Sequence, residues 1–150
     1  DAKQQAEFLA RQIELYRTAP RIDGVFVPGG DPGNNPAREL LPYVRDMGLA
    51  LRQHHPRARI WVSLQGFAPR DIDDFYDYVS REQPDWLGGV VMGPSSPPLD
   101  TTRARLPANY KLRWYPDITH TIRCQYDVPW FDPAFGCTLG RLCRQQLDAA

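Results

Sequence analysis

Asp23-Gly-Val-Phe-Val-Pro28, running into Gly29-Gly30-Asp31-Pro32-Gly33, is the stretch that decides the fold. Ile22–Pro28 is short, almost wholly apolar and rich in β-branched and aromatic types, which reads as a strand covered on both faces. It breaks into a glycine-rich turn carrying one carboxylate, and an amphipathic helix is expected from about Pro36. The design then recurs. Arg59–Leu64 is a second strand closed by Gln65-Gly66-Phe67, Trp86–Met92 a third followed by the Gly93–Pro98 loop, and Tyr110–Tyr115 a fourth ending in Pro116-Asp117. Between the strands, Leu40, Leu41, Val44 and Met47, and then Ile72, Phe75, Tyr76 and Val79, recur at helical spacing.

Working outward, residues 2–17 form a leading helix on Phe8, Leu9, Ile13 and Tyr16, and 99–106 hold a helical turn or short helix. Asn34 or Asn35 can cap the second helix with Pro36 at its first position; Pro42 either kinks that helix or marks its start. Asp71, Asp73 and Asp74 suit the front of the third helix, and His54-His55 suit the end of the second. Trp61 and Trp86 begin strands and read as structural.

Strands alternating with helices argue a parallel sheet with right-handed crossovers. Two closures are open: a four-stranded open sheet, or half of a (β/α)₈ barrel. Either leaves two apolar edges that need cover, from a second copy in a homodimer or from the remainder of a larger chain. The favoured expectation is one α/β domain over 1–150, a half TIM-type barrel and a fragment of a larger one. The absent initiator methionine points the same way. From 121 to 150 the pattern gives way to an irregular aromatic and proline-rich segment, then a terminal helix near 138–147.

Composition narrows the function classes. Eighteen basic and eighteen acidic residues give a net charge of zero, so no nucleic-acid partner is expected. No apolar run is long enough to span a bilayer. Cys124, Cys137 and Cys143 lack the paired spacing of a zinc ribbon, so no metal or other cofactor is expected; a Cys137–Cys143 disulfide and three free thiols both remain open. Many of the fifteen prolines follow strands and stiffen the loops there. The glycine turn is no phosphate loop, because the Lys-Ser/Thr that follows such a loop is missing.

Ligands of parallel α/β proteins bind at the carboxyl ends of the strands. There Asp31 can accept ligand hydroxyls or close an Asx-type turn before Pro32, and Gln65 can both donate and accept. Trp114 and Tyr115 end the fourth strand with Asp117 and His120 just beyond; aromatic faces there can stack on a ligand ring, although one of the two rings is expected to pack in the core. Tyr126, Trp130 and Phe131 extend the aromatic signal.

Val27-Pro-Gly-Gly-Asp-Pro-Gly33, Trp61-Val-Ser-Leu-Gln-Gly-Phe67 and Leu112-Arg-Trp-Tyr-Pro-Asp-Ile-Thr-His120 resemble the barrel of glycoside hydrolases of the β-N-acetylhexosaminidase and α-glucuronidase type, over roughly residues 1–135. The resemblance implies a carbohydrate ligand held by Asp31, Gln65, Trp114, Tyr115, Asp117 and His120, in a hydrolase or a part of one. Those hydrolases place adjacent acids after a central strand, whereas the adjacent acids here, Asp73-Asp74, open a helix. The alternatives are a non-catalytic sugar-binding or assembly module and an open-sheet protein of unrelated function.

Overall fold

The computed structural model describes residues 2–31, 35–93 and 96–114. Their elements run α1 (Ala2–Thr18), β1 (Gly24–Val27), α2 (Ala37–His54), β2 (Arg59–Ser63), α3 (Pro69–Glu82), β3 (Leu87–Met92), α4 (Leu99–Arg105) and β4 (Lys111–Trp114). The four strands pair in parallel in the order β1-β2-β3-β4. This is the α/β alternation expected from the apolar runs. Tyr115, Asp117 and His120, all three cysteines and the segment 121–150 lie outside the described residues.

A sheet built in sequence order by right-handed crossovers puts successive helices on one face. Register makes that face explicit. Val25 pairs with Ile60, Val27 with Val62, Val62 with Val90, and Val90 with Leu112. All of these join one core with Leu41, Val44 and Leu51 of α2 and Phe75, Tyr76 and Val79 of α3. The other face carries Phe26, Trp61, Ser63, Val91, Lys111 and Arg113, which alternate with the core residues along each strand. Trp61 and Val91 are buried yet stand apart from the helix-side core.

Several local expectations change. β1 is not covered on both faces: it is an outer strand of the described sheet, and Phe26 is 50% exposed. Pro36 takes the N-cap position of α2 rather than its first helical position, which falls to Ala37. The Ala37 N–H donates to Asp71 Oδ1 at 2.9 Å, so an acid expected to serve its own helix caps the neighbouring one. α2 starts before Pro42 and continues past it, so Pro42 does not mark its start and forfeits one backbone bond in the second turn. His55 does more than sit at a helix end. Its Nδ1 accepts from the Ile22 N–H at 3.4 Å and its Nε2 meets the Tyr16 carbonyl at 2.8 Å, a pattern that the Nε2–H tautomer satisfies. The imidazole thereby ties the end of α1 to the end of α2.

α1 packs on α2. Among its described side chains only Tyr16 is fully buried, while Phe8 leans on Tyr43 with ring centres 6.2 Å apart. The Tyr16 and Tyr43 hydroxyls are buried without a hydrogen-bond partner among the described residues. Burial, with a smaller contribution from Tyr43, pushes the Tyr16 phenol up to about 12.

Candidate functional site

The exits of β1 and β2 are locked together through backbone. Gly29 has φ +68°, and a Cβ there would stand 2.0 Å from the Ser63 carbonyl oxygen. The Gly30 N–H donates to the Gln65 carbonyl at 3.0 Å, and a Cβ on Gly30 would meet the Gly66 oxygen at 2.4 Å. Only glycine allows two loops to approach this closely. The glycine run of the opening stretch therefore serves loop-to-loop packing.

That packing places two of the expected site residues in contact. Gln65 Nε2 donates to Asp31 Oδ2 at 3.1 Å, from one strand exit to the next. The Gln65 backbone is itself oriented, since its N–H donates to Ser63 Oγ at 3.1 Å. Asp31 is exposed and Gln65 half-buried, and Asp31 Oδ1 has no hydrogen-bond partner among the described residues. An amide holding one oxygen of a carboxylate leaves the other oxygen and the amide carbonyl as further acceptors. This is a small polar platform suited to hydroxyl groups.

Trp114 closes β4 and pairs with Met92, which puts its backbone at the same end of the sheet. Two strand spacings separate β4 from β2, on the order of 10 Å. Tyr115, Asp117 and His120 lie outside the described residues, so Asp31 and Gln65 are the pair brought together. At the β3 exit, the Gly93 N–H donates to Ser96 Oγ at 2.8 Å and the Ser96 N–H donates to the Gly93 carbonyl at 3.1 Å, closing that loop on itself.

Asp31 is the one carboxylate in the strand-exit loops 28–36, 64–68 and 93–98. Of the adjacent acids, Asp73 pairs with Arg105, whose guanidinium also lies 4.5 Å from the Tyr76 ring centre. Among the described residues no three His, Cys, Asp or Glu side chains gather as metal ligands would. No helix among them is long and apolar enough to cross a membrane.

Sequence reading passed over Ser63, which orients Gln65, and gave Asp71 to its own helix alone, whereas it also holds the start of α2. A hydroxyl two residues before a strand-end amide is a usable signal for the first. Asp71 acts 34 residues from its partner and leaves no local signal. No family model, curated protein or solved structure matches the chain.

Proposed function

We propose that this chain is a carbohydrate-active domain, a half (β/α) barrel of glycoside hydrolase type or part of one, which binds a sugar at the carboxyl ends of its parallel strands. Asp31 and Gln65 accept and donate to sugar hydroxyls; Trp114, Tyr115, Asp117 and His120 complete the subsite. The observation that carries this reading is the Gln65–Asp31 hydrogen bond across two glycine-locked exits, which leaves one carboxylate oxygen and the amide carbonyl as acceptors. The resemblance of those same exits to hexosaminidase-type barrels supports the choice of ligand class. A second copy or further sequence covers the outer strands.

The single carboxylate in the described exit loops favours a second reading, a sugar-binding module without turnover, because glycoside hydrolysis requires two carboxyls. Aryl β-N-acetylglucosaminides and aryl α-glucuronides separate the two. Release of the aryl alcohol, abolished in Asp31→Ala, supports the hydrolase. Saturable binding of the free sugars without release supports the module, and neither response sinks both.

A further inference from the structure

The amino-terminal end of the sheet carries a different constellation on the face turned away from the helices. There the Trp61 indole lies across space left by two glycines. A Cβ on Gly88 would meet its Cε2 at 2.6 Å, and one on Gly24 would meet its Nε1 at 3.1 Å. Gly88 is the extra residue of a bulge, since Ile60 pairs with Leu87 and Trp61 with Gly89. Arg113 reaches back from β4 and stacks its guanidinium carbon 3.6 Å from the Trp61 ring centre. Stacking fixes the guanidinium plane while leaving its N–H donors free at the edge.

Arg59, the first residue of β2, and Lys111, the first of β4, flank this stack; with Asn109 they line a groove of about 370 Å³. No carboxylate lines the groove, and none of the three cations forms an ion pair among the described residues. Arg59 donates to the Ala58 carbonyl at 3.0 Å, and the nearby Asp85 carboxylate, which feels Arg59, is already held by Arg52. Three cations gathered on a chain of zero net charge repel one another unless an anion sits between them. Protection of an outer strand by charge explains Lys111 and Arg113 on β4. It does not explain Arg59 on the inner strand β2, or why Arg113 folds inward onto a ring.

We propose that this groove binds a phosphoryl-type oxyanion, the phosphate or diphosphate group of a small molecule. Arg113 donates through two N–H groups, Arg59 and Lys111 supply charge, and the Asn109 amide donates at the rim. The proposal is independent of the sugar reading, which concerns the opposite end of the strands.

Calorimetric titration of the whole chain with inorganic phosphate and with pyrophosphate at low ionic strength tests it. Pyrophosphate is expected to bind more tightly than phosphate. Arg113→Gln and Lys111→Gln should each weaken it about tenfold, the scale of one charged hydrogen bond. Arg113→Lys should fall between, and Asp31→Ala should bind like the parent. Lys111 is exposed, so Lys111→Gln remains decisive if loss of the stacked arginine disturbs folding. No binding at millimolar pyrophosphate, or affinity unchanged in Lys111→Gln, overturns the proposal and leaves the cations as guards of the outer strand.

Discussion

The two ends of this sheet are built on opposite principles. At the carboxyl end, glycine lets backbone meet backbone, and the exits of β1 and β2 form one rigid piece with Asp31 and Gln65 on top. At the amino end, Gly24, Gly48 and Gly88 make room for side chains, the rings of Trp61 and Trp86; Gly89, against the Lys111 carbonyl, is the exception. The first arrangement tolerates almost no added atom, because a carbonyl cannot rotate away. The second tolerates more, because a ring edge can shift. The residue type is the same and the consequence differs.

The largest effect expected from this contrast is at Gly29. Gly29→Ala drives a Cβ into the Ser63 carbonyl oxygen at a positive φ, and should cost roughly 3 kcal/mol of unfolding free energy in urea. A loss below about 1 kcal/mol would mean that the exits are not locked.

Next comes alkaline pH at the amino end. The Tyr16 phenol is raised in the folded chain to about 12, against an ordinary value of 10.0. Its contribution is therefore complete below pH 10 and is lost as pH rises from about 10 to about 12, because the unfolded chain gives up the proton first. The drop should be on the order of 2 kcal/mol and should vanish in Tyr16→Phe. An identical pH profile for the two proteins would remove this argument.

Gly88→Ala presses on the Trp61 ring edge and should cost about 1–2 kcal/mol, less than Gly29→Ala. A larger cost than at Gly29 would reverse the comparison of the two ends. The smallest effect concerns the cap that steadies the carboxyl end. Asp71→Ala leaves the Ala37 N–H without its side-chain acceptor and should cost about 1 kcal/mol, with Asp71→Asn recovering most of it.

How much of this was legible in the chain follows from the range of each interaction. The Ile60, Val62, Val90 and Leu112 runs announce strands because burial needs only a short apolar run, and the helices between them follow from Leu41, Val44, Phe75 and Val79. Asp31 and Gln65 stand out because each ends a strand beside glycine. Their mutual hydrogen bond was not legible, since it depends on the register of β1 against β2. The exposed face of β1 was misread because Phe26 has the same composition whether its strand lies inside a sheet or at its edge. Gly88-Gly89 inside an apolar strand signals a bulge, but its meaning comes from Trp61 on the strand to one side and Arg113 on the strand to the other.

The central claim is that the joined exits of β1 and β2 bind sugar, and backbone amide NMR during titration with N-acetylglucosamine and with glucuronic acid tests it most directly. The account predicts saturable shifts centred on Gly30, Asp31, Gln65 and Gly66, absent in an Asp31→Ala protein of unchanged melting temperature. Shifts centred on Trp61 and Lys111 instead, or shifts at the exits that survive Asp31→Ala, would contradict it.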